Sequence, residues 1–293
     1  MVCGCVLAYL SSMACAPQVI TPVDGEPAAD AGSSGATAGG AQGGASAAGA
    51  AAMTEAGAAG VLVDPTLRGD ALLHRYGFDG VGSQAVDSKG AAHGELIATK
   101  LTGQGFVHLA APDTTRQYVD LPNGLISGLV NATFEIWVNW DGGGDWQRIF
   151  DFGEDSTGVE GSQSNGRSYL FLSPHGNGDF LRAVYKNPML REIIIDVRPA
   201  LKPGALEHLA LVFDDQHDLM SLYVNAELSG SVELDSKLSQ IHDVNDWLGR
   251  SQFAVDSPFT GSIDELRIYD VALTAGEIRK SFEAGPDAVF PDP

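Results

Sequence analysis

The sequence predicts an all-β fold, a two-sheet antiparallel sandwich with one short helix near the C-terminus. Three observations predict it. From Leu72 onward, short runs rich in Val, Ile, Tyr, Phe and Trp, such as ATFEIWVNW, RSYLFLS, FLRAVYK and LEHLALVFD, recur between turn residues. Asn165-Gly166, Asn177-Gly178 and Asp141-Gly142-Gly143-Gly144 supply residues that tolerate positive φ, as hairpins require. Roughly a dozen such runs over about 215 residues suit one large sandwich better than two small domains. Near the end, a single stretch changes to helical period.

Taken in chain order, the first element is an address. Val2 to Ala14 is apolar, too short for the about 20 residues that span a bilayer, and ends in Met13-Ala14-Cys15 before a polar stretch. The layout resembles a bacterial lipoprotein signal over 1–15, with Cys15 acylated. A simple secretory signal cleaved near the same place is the alternative. Either predicts an exported protein, at the cell envelope or secreted. All three cysteines lie in this segment, so the rest of the chain holds no disulfide.

Residues 16–66 read as a disordered Ala/Gly-rich linker. Between Pro22 and Gly60 the only larger apolar residues are Val23 and Met53, which cannot build a core. A flexible coil of about 45 residues reaches roughly 40 Å. That suits a tether.

Charge narrows the partners. The chain carries 17 Lys+Arg against 38 Asp+Glu, a formal charge of −21, and only five of the acids precede Arg68. The acidity therefore belongs to the folded part. It argues against nucleic acid or an anionic membrane as partner, and a uronate-type glycan is unfavoured unless arginines cluster. A membrane is expected only through the lipid anchor. The same net charge opposes association, so a monomer is expected.

Within the folded part, 67–286, the strands alternate. Phe134, Ile136, Val138 and Trp140 are set against Glu135, Trp137 and Asn139, which predicts one face on a core and one partly polar. His208–Phe213 is apolar on both faces, as for a strand covered on two sides. The helix is specified by a capping box, Thr274 with Glu277, by Leu273 and Ile278 at the staple positions, and by Gly285-Pro286 at its end. It is predicted over Ala275–Ala284, packing Ile278 and Phe282 on the sandwich edge, and 287–293 is a tail.

HRYGFDGVGSQAVDSKGAAHGEL, a FEIWVNW strand, HLALVFDDQHDLMSLYVNAEL and FTGSIDELRIYDVALTAGEIRKSF, in that order, resemble the laminin-G-like, concanavalin A-type jelly-roll domain. The resemblance covers about Leu72 to Ala284. It implies a curved two-sheet jelly roll, and a function in binding carbohydrate or protein, since members include carbohydrate-binding and adhesion modules. Fold alone does not fix which. The resemblance also implies one structural calcium between the first and last strands: Asp264 in GSIDEL matches the aspartate ligand, and Asp79 in YGFDG should lie beside it. Carbonyls and water would complete the about six to eight oxygens that calcium needs. Asp87 in VDSKG reads as an Asx turn rather than a ligand.

A sugar site needs an aromatic platform and planar hydrogen-bonding side chains. Trp140, Trp146, Arg148, Tyr169, His175, Arg182 and Tyr185 supply both, and Trp146, beside the Gly-rich turn, is the most exposed candidate. The competing reading places Trp137 or Trp140, and Tyr169, in the core and pairs the arginines with Asp151, Glu154 and Asp179. Catalysis is disfavoured. Glycosidases of this fold use E-x-D-x-x-E, and in Glu233-Leu234-Asp235 the second glutamate is replaced by Leu238. The expected function is thus a non-catalytic, envelope-tethered lectin-like module for a glycan or surface protein. A structural or adhesion domain with a stabilising calcium is the alternative, ahead of a divergent glycoside hydrolase.

Overall fold

The alternation in ATFEIWVNW organises the centre of the molecule: Phe134, Ile136 and Val138 are fully buried in the core, while Glu135 and Trp137 face the other way. The computed structural model describes residues 67–110 and 116–290, so the signal and linker lie outside the described residues. The strands are β1 (Leu72–Tyr76), β2 (Val81–Gly82), β3 (Gln84–Ala85), β4 (Gly94–Ile97), β5 (Leu101–Thr102), β6 (Val107–Leu109), β7 (Tyr118–Leu121), β8 (Ala132–Trp140) and β9 (Phe150–Asp155). There follow β10 (Gly166–Gly176), β11 (Phe180–Lys186), β12 (Ile193–Val197), β13 (Leu206–Asp214), β14 (Leu219–Val224), β15 (Glu227–Glu233), β16 (Asn245–Leu248), β17 (Gly261–Tyr269) and the helix α1 (Ala275–Ala284).

One sheet has the order β1-β17-β8-β13-β14-β15, with β6 also pairing to β17, and the other the order β12-β11-β10-β9-β16-β7-β4-β3. Strands β2 and β5 form a small separate ladder. Neighbours far apart in sequence, such as β1 with β17 and β9 with β16, pair antiparallel. The result is an antiparallel jelly-roll sandwich. Its core is aromatic at the middle, with the Phe134 ring 5.9 Å from those of both Phe150 and Phe152. The ladder of β17 with β8 slips between Ile263 and Glu265, which leaves Asp264 as the extra residue of a bulge.

Helix α1 occupies the predicted span with the predicted cap: the Thr274 N–H donates to Glu277 Oε2 at 2.8 Å, and the Glu277 N–H donates to Thr274 Oγ1 at 3.3 Å. It covers the outer face of the first sheet rather than an edge, packing Leu273 and Ile278 on Ala210, Val212 and Tyr269. The strands explain this. The outward residues of β8, β13 and β17 include Glu135, His208 and Arg267, all buried, which need a lid that satisfies them. Phe282 stays 36% exposed beside the His208 ring.

Among the described residues, the segment after α1 up to Phe290 packs back on the sandwich. The Pro286 carbonyl accepts from both Arg75 and Arg267, and the Arg267 guanidinium lies 4.7 Å from the Phe290 ring centroid. Asp87 forms the Asx turn expected of it, its Oδ1 accepting from the N–H groups of Arg75, Lys89 and Gly90.

Candidate binding site

The outer face of the second sheet carries the site, and strand parity decides what reaches it. On β10, Leu170 and Leu172 enter the core, so Tyr169 and Phe171 project outward with Val184 of β11 and form a small outer cluster. On β11, Arg182 shares the outward phase, whereas Tyr185, an odd number of residues away, must face inward. Two loops then wall this face. The loop before β9 brings in Trp146 and Arg148. The loop after β16 folds back over the sheet, where the Gln252 N–H donates to Asp151 Oδ2 at 3.0 Å and Ser164 bridges Phe253.

Between the loops lies a cavity of about 330 Å³. Trp146, Phe171 and Phe253 give it aromatic walls, Arg148 and Arg182 its cationic edges, and Glu192 and Asp256 its carboxylates. Trp146 adopts a left-handed φ of 63° and is fixed by its N–H, which donates to the His175 carbonyl at 3.0 Å. Arg182 makes a fork with Asp196, Nε to Oδ1 at 2.7 Å and Nη2 to Oδ2 at 2.8 Å, and lies over the Trp146 and Phe180 rings. Arg148 is buried flat on Phe171, 3.8 Å from the ring centroid, with Nε 3.3 Å from Asp151 and Nη2 2.7 Å from Asp256. Burial raises the Asp151 carboxyl to about 7 although Arg148 opposes the shift, and burial raises Asp256 as well.

Of the seven residues singled out in the sequence, Trp146, Arg148 and Arg182 line the cavity. Tyr169 lies on the same face but is buried, packed on Phe171 and Phe253, with its hydroxyl donating to Glu192 at 2.7 Å. Three others must be reassigned. Tyr185 is a core residue whose hydroxyl donates to the Lys237 carbonyl. Trp140 is also core, its indole N–H donating to Gln147 Oε1 at 3.0 Å. His175 stacks on Trp140 and stands 2.7 Å from Asp145, outside the cavity lining. The sequence reading missed Phe171, Glu192, Phe253 and Asp256. Phe171 was available from its parity with Tyr169; Phe253 and Asp256 reach the site only because their loop folds back.

The calcium expectation rests on Asp79 and Asp264. Asp79 falls just beyond the end of β1, and Asp264 is the bulge residue of β17. Burial, together with the charges of Asp287, Glu265 and Asp79, raises the Asp264 carboxyl to about 6. A cation there would relieve that crowding. Among the described residues no three His, Cys, Asp or Glu side chains converge to hold a metal; a calcium here would take most of its ligands from carbonyls and water.

Glu233 ends β15 in an exposed position, and Leu238, where the second carboxylate would stand, is fully buried.

A family model described as the concanavalin A-like lectin/glucanases superfamily matches residues 113–279, more than half of the chain. The chain belongs to that superfamily. The described sandwich extends beyond the matched span, since β1 begins at Leu72. Solved structures of similar fold include domain 4 of AbnA, an extracellular GH43 arabinanase from Geobacillus stearothermophilus, in complex with arabinotriose. Its TM-score is 0.54 at 22% identity, with 72% of this chain and 97% of that one covered. The botulinum neurotoxin serotype D/C binding domain reaches a TM-score of 0.55 at 12% identity, covering 74% of this chain and 52% of that one. At these identities the likeness shows the fold alone. Among curated proteins no match to the chain was found. No helix among the described residues is long and apolar enough to cross a membrane.

Proposed function

We propose that the domain is a non-catalytic, lectin-like module that binds a glycan through the outer-face cavity of its second sheet. The observation that carries this reading is the cavity's make-up: a partly buried Trp146 held by backbone and cation contacts, with polar groups around it. Flat aromatic surface for a ring's C–H groups beside fixed hydrogen-bonding groups is what sugar recognition requires. Two structural relatives support the reading, one an arabinanase domain with arabinotriose bound, the other a toxin's binding domain. Export and tethering through a lipidated Cys15 complete the proposal, with the linker holding the module away from the envelope. A glycan array probed with the full chain and with Trp146→Ala tests it: binding lost in the variant supports the module, and silence of the wild-type chain removes it.

The second reading, an adhesion or structural domain with a stabilising calcium at Asp79 and Asp264, is favoured by the carboxylate crowding at the β17 bulge. The two readings are compatible. The calcium would brace the sandwich rather than touch the glycan.

A further inference from the structure

Both arginines that border the cavity are already neutralised by the protein itself. Arg148 has carboxylates on two sides, Asp151 at 3.3 Å and Asp256 at 2.7 Å, and its Nη1 donates to the Trp146 carbonyl at 2.6 Å. Its upper face is spent on Phe171. Arg182 gives Nε and Nη2 to Asp196, leaving only Nη1 without a partner among the described residues. A bidentate fork, the geometry by which arginine captures a carboxylate or sulfate, is therefore not open on either one. Lys186, over the Tyr169 ring, donates to the Arg167 carbonyl, and Arg191 lies outside the lining.

The open valences are acceptors. Glu192 takes the Tyr169 hydroxyl on Oε1, and Asp256 takes Ser251 and Arg148 on Oδ2, while Glu192 Oε2 and Asp256 Oδ1 accept nothing among the described residues. Four carboxylates (Asp151, Asp196, Glu192, Asp256) thus surround two guanidinium groups. From Arg68 onward the domain adds 33 acidic residues against 17 basic ones. A carboxylate on an incoming ligand would meet repulsion at long range and no free fork at contact; a hydroxyl would find two acceptors.

Given the lectin-like reading, on which this rests, we propose that the cavity selects uncharged, hydroxyl-rich sugars and rejects those bearing carboxylate or sulfate groups. Selectivity comes from built-in countercharges, Asp151 and Asp256 on Arg148 and Asp196 on Arg182. Negative charge already at the site acts against a negative ligand.

The test is a titration of the full chain, at 20 mM and 150 mM salt, with oligosaccharides that include matched pairs. Lactose is set against sialyllactose, methyl-esterified oligogalacturonate against the free acid, and arabinotriose is added as a further neutral probe. Expected is binding of at least one neutral probe, weakened about tenfold or more by Trp146→Ala without loss of thermal stability. Each anionic member should bind at least about tenfold more weakly than its neutral partner, and the gap should narrow at high salt and in Asp256→Asn. Tight binding of an anionic member, abolished by Trp146→Ala, would leave the lectin site standing and overturn its selectivity. Neutral binding indifferent to Trp146→Ala would overturn the assignment to this cavity. No binding by any probe would sink the lectin reading and this one with it.

Discussion

The Tyr269 hydroxyl donates to Glu135 Oε2 at 2.9 Å in the buried layer between the first sheet and helix α1. The same oxygen accepts from Ser281 Oγ of the helix at 2.6 Å, and His208 Nε2 stands 3.3 Å from the other carboxylate oxygen. Burial pushes the Glu135 carboxyl up, but His208, Arg267 and Ser281 together hold it below the usual carboxylate range. One carboxylate thus joins three strands to the helix.

Removing that carboxylate strands its partners. Glu135→Ala is expected to cost about 3–5 kcal/mol, because Arg267 loses a buried counter-charge and two hydroxyls lose their acceptor. Glu135→Gln, which keeps an acceptor, should cost less. Urea unfolding of both variants measures the difference; equal losses would contradict a role for the acceptor, and no loss in Glu135→Gln would contradict a role for the charge.

Arg148 should show a pH signature. Burial raises the Asp151 carboxyl to about 7, above its ordinary value, so the cost to folding is full above about pH 7, shrinks as pH falls and is gone only below about pH 4. Arg148→Met removes the opposing charge and is expected to destabilise by about 3 kcal/mol or more at pH 8, and by clearly less at pH 5. Denaturant midpoints at the two pH values decide; a pH-independent loss would point to packing on Phe171 alone.

Asp264 gives the metal test. Its carboxyl is raised to about 6, so its ionisation opposes folding above that pH and ceases to matter below about 4. In EDTA at pH 7, Asp264→Asn should therefore melt higher than wild type, with the gap closing as pH falls. In millimolar calcium the order should reverse, since only the wild type gains RT ln(1 + [Ca]/Kd). A wild type indifferent to calcium removes the metal.

Two aromatic residues separate binding from stability. Trp146→Ala should abolish glycan binding at unchanged melting temperature. Tyr185→Phe should leave binding intact and lose about 1 kcal/mol, the worth of its hydrogen bond to the Lys237 carbonyl. Calorimetric titration and unfolding on the same two proteins would show any exchange of these roles.

Much of this was legible in the sequence, and the exceptions have physical reasons. The helix from Ala275 to Ala284 was written locally, in the Thr274 and Glu277 cap, so it needed no tertiary information. The inward phase of Phe134, Ile136 and Val138 followed from alternation alone. The site was harder. Arg182 and Tyr185 share a strand at odd spacing and could not both face one ligand, a constraint that composition hides. Trp140 keeps the core phase of its strand, with its N–H satisfied internally by Gln147. Phe253 and Asp256 come from about seventy residues beyond the aromatic strands, delivered by a loop whose docking depends on Asp151 and Ser164. No local pattern encodes that docking.

The back-folded loop also sets the footprint of any partner. Held at Asp151 of β9 and at Ser164 in the loop before β10, it walls a bounded pocket on the outer face of the sheet. At about 330 Å³ the pocket sits at the small end of ligand sites, which span about 300–1,000 Å³. On the proposed glycan reading, a polymer would engage only a short stretch of itself per molecule. Firm attachment would then become a matter of numbers: copies crowded on one surface, each gripping another stretch of the same polymer, would gain about a hundredfold or more through avidity without a new contact.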